Sequence, residues 1–274
     1  MATAFEKFLS KIGNIPGVKI DRTGYLTKIF KSKCANEESL EKILKEGPGQ
    51  AGIPKEQIDK IADNEIFATS ASATSVSFLT GLPGGIAMLA TIPTDIAQLY
   101  VHIFTVIQKL MYLYGWEDDI FDEDGNMDSE TQSIVILYLG LMFGVSAVSK
   151  PLSMIAAKAS VKYITKAVIK SMGTKIMRNA VIKVIKVLGI RATVKGSVKY
   201  FTKAVPVLGG VFSGAITLAT ILPMSKKLKS YLSTRKINKL DLTVELDESD
   251  EIFEDEFSEV FDDVTEDDDC NFEQ

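Results

Sequence analysis

Residues 131–240 hold 19 basic side chains and no acidic one, and residues 241–274 hold 17 acidic side chains and no basic one. The first 130 residues carry the other 12 bases and 19 acids, so the formal charge of −5 conceals a +19 block followed by a −17 block. A helix inside either block cannot gain opposite-charge pairs at i,i+4 spacing along its own surface. Charge segregated this strongly implies an anionic partner, a tail that masks the basic block, or both.

Helix signals run through the chain, and convincing strand alternation is absent. Asn36 caps a short helix that reaches Leu44 and is stopped by Gly47 and Pro48. Pro54 suits the first position of a second helix, with Ile58, Ile61 and Ala62 on one side. Thr94 precedes a third helix that runs to Tyr114 and ends at Gly115, a natural left-handed cap. After a loop over 116–128, a long helical stretch starts near Thr131, is interrupted at Lys150-Pro151, and resumes through the Lys-rich region. The expected architecture is all-α: a compact helical bundle with Gly-rich apolar helices. A lead of residues 1–20 precedes one helical domain over 21–240, and the acidic tail 241–274 is disordered or conditionally helical.

Three segments, 66–94, 131–149 and 204–225, are free of charge, and the last two are long enough to cross a bilayer. Pro206, Pro223 and Gly209-Gly210 weaken the spanning reading of the third, as Ser, Thr, Gly and Pro do for the first. Gly140/Gly144 and Gly210/Gly214 recur four apart, a spacing that lets helices approach closely in membranes and in tightly packed soluble hairpins alike. The opening residues lack the pattern of a signal peptide. Cys34 and Cys270 stand far apart in no metal or redox spacing, which fits a reducing cytosol.

Catalytic patterns are sparse. On the third helix Asp95, Gln98, His102, Thr105 and Lys109 share a face, and a carboxylate seven residues from the chain's sole histidine could form an acid–base pair. No Cys or second carboxylate joins His102 at metal-ligand spacing, so a hydrogen-bonding stripe inside a bundle is the favoured reading. Asp122, Asp124 and Gly125 fall at positions 3, 5 and 6 of an EF-hand loop. Ile120 and Thr131 stand where positions 1 and 12 need carboxylates, so a solvated acidic turn is expected. Gly47, Gly49 and Gly52 match a dinucleotide fingerprint without the strand that must precede it, and read as a helix–helix turn. No metal and no cofactor is implied.

The basic block carries the stronger signal. Lys158, Lys162, Lys166 and Lys170 form one series spaced by four, and Arg191, Lys195, Lys199 and Lys203 form another. Each series lays charge along one helical stripe, with Val181, Ile185 and Leu188 among the residues available to other faces. Such a helix suits an anionic membrane surface. Nucleic acid is the weaker candidate, because of the block's 19 basic residues only Arg178, Arg191 and Arg235 can read bases bidentately and aromatic residues nearby are too few to stack them. In the tail, Phe253, Phe257 and Phe261 recur at helical spacing among the acids, which makes the tail a candidate docking helix for the basic face.

The run Gly81-Leu-Pro83-Gly84-Gly85, continuing through Asp95, Gln98, His102, Gln108 and Tyr112 to Gly115, resembles the signature of the EcsC protein family. Upstream, Asp21-Arg22-x-x-Tyr25-Leu26 and the Gly-Pro-x-Gln-Ala-Gly stretch at 47–52 are similar to the family's N-terminal part, and Gly140-Leu-Met142-Phe-Gly144 resembles the helix that follows. The resemblance covers about residues 20–230 and leaves out the acidic tail. It implies a bacterial origin, a helical fold and a link to membranes, since the founding member is encoded beside an ABC transporter. The family has no established activity, so no catalytic residue carries over. Charge, spacing and resemblance together lead to one expectation: a non-enzymatic, cytoplasmic protein bound peripherally or conditionally to the inner face of the cell membrane, its basic helices masked by its own tail. The alternatives are an integral or transporter-associated component, and an enzyme with an unrecognised site near Asp95 and His102. No protein partner is specified.

Overall fold

The computed structural model describes residues 8–72, 94–158, 175–191 and 214–235. Those residues form eight α-helices and no strand, so the fold is all-α. The helices are α1 (Arg22–Phe30), α2 (Glu37–Glu46), α3 (Lys55–Ser72), α4 (Thr94–Leu113), α5 (Ser129–Met142), α6 (Ser149–Lys158), α7 (Lys175–Arg191) and α8 (Gly214–Arg235). Short 3-10 turns lie at Ile12–Asn14 and Ser146–Val148. By internal contacts the chain divides into the units Met1–Asn238 and Lys239–Gln274, and every described residue belongs to the first.

Local chemistry explains where the helices start and stop. Asp21, Asn36 and Asp128 each accept hydrogen bonds from free N–H groups of the first turn of α1, α2 and α5. At the end of α4 the Trp116 N–H donates to Met111 O at 2.8 Å and the Gly115 N–H to Tyr112 O at 3.1 Å. The end of α5 repeats this pattern, Val145 N–H to Gly140 O at 2.8 Å and Gly144 N–H to Leu141 O at 3.2 Å. Both are Schellman endings, and Gly115 (φ +88°) and Gly144 (φ +72°) supply the left-handed residue each one needs.

The interruption expected at Lys150-Pro151 therefore lies earlier, at Phe143–Val145. Pro151 is the third residue of α6, where its missing N–H would have no intrahelical acceptor in any case. Gly140 and Gly144 also do different jobs. Gly140 lies against α7, where a β-carbon would come within 2.5 Å of Val148 Cγ1 and 2.6 Å of Val184 Cγ2, while Gly144 ends its helix.

The packing order follows from burial. On α3, Ile58, Ile61, Ala62, Ile66, Thr69 and Ser70 are buried in 3- and 4-residue steps, and that stripe faces α4 and α8. After a polar first turn, helix α5 is apolar on every side from Ile134 onward and buried through most of that length between α8 and α7. Segment 131–149 is thus the central core element. At about 1.5 Å per residue α5 spans only about 21 Å, short of the roughly 30 Å hydrocarbon core. The described half of segment 204–225 is likewise in α8, where Ile221, Met224, Leu228 and Leu232 are buried. Among the described residues no helix is long and apolar enough to cross a membrane.

Residues 8–20, expected as a separate lead, pack into the same interior. Phe8, Leu9, Ile12, Ile15 and Val18 are all buried, and the Phe8 ring meets Tyr100 of α4 edge-on at 5.8 Å.

Candidate functional site

Arg22, Gly47, Gln108, Tyr112 and Gly115 meet at one junction, where the N-terminal segment, the start of α1 and the ends of α2 and α4 come together. Gln108 is 1% exposed. Its Nε2 donates to Val18 O at 2.7 Å and its Oε1 accepts the Ile20 N–H at 3.1 Å. One turn on, the Tyr112 hydroxyl donates to Ile20 O at 3.1 Å and accepts the Ile120 N–H at 3.0 Å. The two side chains fasten the segment before α1 and the loop after α4 to a single helix face. Gly47 (φ +84°), which ends α2, approaches Gly115 so closely that a β-carbon there would lie 3.1 Å from Gly115 Cα.

Arg22 closes this junction. Its guanidinium donates from Nε to Trp116 O, in the loop after α4, at 2.7 Å and from Nη1 to Leu44 O, in the last turn of α2, at 2.6 Å. Burial lowers its pKa, opposed by the nearby Tyr112, Asp119, Asp118 and Glu117. Burial likewise raises the pKa of Tyr112. Gln108, Tyr112 and two nitrogens of Arg22 hold backbone together, so the junction is a keystone of the fold, while the buried Arg22 Nη2 and Trp116 Nε1 make no hydrogen bond.

A second cluster joins α3 to α8. Asp59 Oδ2 accepts from Lys55 Nζ at 2.7 Å and from the Ser233 hydroxyl at 2.9 Å, and Oδ1 accepts from the Tyr114 hydroxyl at 2.6 Å. One turn along, Lys229 pairs with Asp63 at 2.7 Å, and Lys109 bridges α4 to Glu65 at 2.9 Å and Thr69 at 2.8 Å. Lys229 belongs to the acid-free block, so part of that block's charge is answered by acids on α3. Burial raises the Asp59 pKa, but the bonds from Lys55, Tyr114 and Ser233 more than offset this and leave it below the ordinary 3.8. Its contribution to stability is therefore complete above the unfolded pKa and lost as pH falls through the lower folded value. Urea midpoints of the wild type and Asp59→Asn should differ at neutral pH and converge in acid; a gap independent of pH would refute this role.

The acidic turn 118–130 is organised around a lysine. Lys19 Nζ donates to Asp122 O at 2.6 Å and Glu123 O at 2.7 Å, so two loop carbonyls point at an ammonium group. The Asp122 carboxylate accepts the Asn126 N–H at 2.8 Å, the main cause of its lowered pKa. Ile120 and Phe121 are buried apolar residues of this loop. Among the described residues no group of three or more His, Cys, Asp and Glu could hold a metal. His102 is half-buried on α4, and burial lowers its pKa. The Thr105 hydroxyl donates back to Val101 O at 2.9 Å, and with Lys109 engaged on α3 this part of the polar stripe makes hydrogen bonds within the bundle. Between α2 and α3, Gly47, Gly49 and Gly52 lie on a helix–helix turn. Cys34 is half-buried and unpaired.

The basic surface can be followed on α7. Ala180, Val184, Val187 and Leu188 are buried, and the helix packs on α5, the turn Ser146–Val148 and α6. Arg178, Asn179, Ile182, Lys183 and Lys186 are exposed on the opposite side, with Val181 and Ile185 half-buried at the flanks. The charge spacing at 158–170 and 191–203 does not single out Arg178, Lys183 and Lys186 as a face. The apolar stripe 180, 184, 187 and 188 is the available signal, because it fixes which side faces the core. Lys158 and Arg191 are the last residues of α6 and α7. Lys162, Lys166, Lys170, Lys195, Lys199, Lys203, Gly81, Pro83, Gly84, Gly85, Phe253, Phe257 and Phe261 lie outside the described residues, as do the side chains of Asp95 and Gln98.

Comparison of the chain with protein-family models, curated proteins and solved structures gave no match.

Proposed function

We propose that this chain is a non-enzymatic helical protein of the EcsC type that associates peripherally with anionic membrane surfaces through its Lys-rich region, on the inner face of the cell membrane. The observation that carries the reading is the outer face of α7, where Arg178, Lys183 and Lys186 stand exposed in a block without a single acid. Each cation brought near anionic headgroups adds about 1 kcal/mol, so three on one face, with others beside them in sequence, make a useful electrostatic anchor. The shortage of arginine favours lipid over nucleic acid. The convergence of Arg22, Gln108, Tyr112 and Gly115 at one junction supports the family reading, since it gives the resembling residues a shared purpose. The integral alternative has no helix among the described residues to carry it.

The tail is the proposed competitor for this surface. Its 17 acids and the helical spacing of Phe253, Phe257 and Phe261 suit it to cover basic, partly apolar ground. Flotation of the full chain with phosphatidylglycerol–phosphatidylcholine vesicles, and with phosphatidylcholine alone, tests the reading. Binding only to the anionic vesicles is expected, and equal binding or none sinks it. A chain ending at Leu240 should bind more strongly; unchanged binding removes the tail from the account.

A further inference from the structure

We infer that Ile182 is the point at which this protein enters the apolar boundary of the membrane, ringed by Arg178, Lys183 and Lys186 as contacts for headgroup phosphates. The inference rests on the membrane reading above and specifies its depth and orientation. Arg178 lies one turn before Ile182 and Lys186 one turn after it, with Lys183 alongside. Ile182 is 42% exposed, although the residues two to either side, Ala180 and Val184, are buried against the bundle. An apolar tip within a ring of cations is the arrangement by which an interfacial helix combines attraction with shallow insertion.

Among the described residues few other ways in remain. The apolar segment 131–149 is occupied as the core helix, and Ile221, Met224, Leu228 and Leu232 of α8 are buried. Among the described residues the other exposed large apolar side chain is Phe67, 60% exposed on α3. One turn before Phe67 is Asp63, whose charge is already paired with Lys229, so that position offers headgroup phosphates no cation. Helix α3 packs on α4 and α8, whereas α7 packs on α5 and α6, so the two side chains belong to different faces of the bundle. Of these two described positions, Ile182 is the one flanked by exposed cations.

The test uses the full chain and phosphatidylglycerol–phosphatidylcholine vesicles. Ile182→Ser should weaken partitioning about fivefold, the worth of removing one partly buried aliphatic side chain from the boundary. Phe67→Ser should bind as the wild type does. Ile182→Trp should retain binding, and its added fluorescence should be quenched by lipids brominated on the acyl chain; Trp116, 5% exposed, supplies a constant background. Circular dichroism of each variant confirms the helical fold, which substitution at these exposed positions should leave intact. If the wild type fails to float, the membrane reading itself falls. If it floats but Ile182→Ser binds equally well and the indole of Ile182→Trp is unquenched, the insertion point is wrong and purely electrostatic binding remains. Loss of binding in Phe67→Ser alone would transfer the docking face to α3.

Discussion

Arg22→Met should lower the unfolding free energy by about 2–4 kcal/mol, because it strips the donors from one carbonyl in the last turn of α2 and one in the loop after α4 in a buried setting. The methionine keeps much of the length and apolar stem, so the loss reports the guanidinium. Trp116 O and Leu44 O would each lose a bond of 2.6–2.7 Å, and the nearby Asp119, Asp118 and Glu117 would lose a compensating positive charge. For a domain of this size the melting temperature should fall by roughly 5–15 °C. Arg22→Lys keeps the charge, but its single nitrogen cannot occupy the separate Nε and Nη1 positions from which the planar fork reaches Trp116 O and Leu44 O, so it should lie between methionine and the wild type. A melting temperature within a degree of the wild type in Arg22→Met would show that the junction is held by other bonds.

Gly140→Ala should also destabilise, even though alanine in a helix interior is worth about 1 kcal/mol more than glycine. The added methyl would sit 2.5 Å from Val148 Cγ1 and 2.6 Å from Val184 Cγ2. Relieving both contacts means shifting valines that are themselves buried, one in the turn after α5 and one on α7. Overpacking of this kind costs about 1–3 kcal/mol, enough to outweigh the propensity gain. Adding Val184→Ala should recover part of the loss, since it vacates the space the new methyl needs, and the coupling between the two changes should exceed about 0.5 kcal/mol. Chemical denaturation of the two single variants and the double variant measures this. If Gly140→Ala proved more stable than the wild type, α5 and α7 would have to sit further apart than described.

The sequence is readable where a signal is local. Asn36 caps its helix, Gly115 ends another, and Ile58, Ile61 and Ala62 share the buried side of α3, because each depends on neighbours within one or two turns. The break after α5 is hard to place because Pro151 looks like a breaker, yet a proline in a first turn breaks nothing. The glycine that does end the helix, Gly144, is hidden in a pairing pattern with Gly140. Long-range chemistry leaves no local trace. The acid-free block lacks partners within itself, but Lys229 finds Asp63 on α3, and Ser233 finds Asp59 across 174 residues. Counting charges obscures the exposed basic face of α7; the opposing apolar stripe defines it.

That 174-residue span has a consequence for how the protein is made. A chain grows at about 5–20 residues per second, so Ser233 is added roughly 9–35 s after Asp59. Throughout that interval α3 exists without the helix that covers its buried stripe, and Ile58, Ile61 and Ile66 have no final neighbour on that side. Arrival of α8 is the event that completes the bundle. Substitutions at Lys229 or Ser233 should thus cut the yield of folded protein during synthesis by more than their effect on the finished molecule suggests.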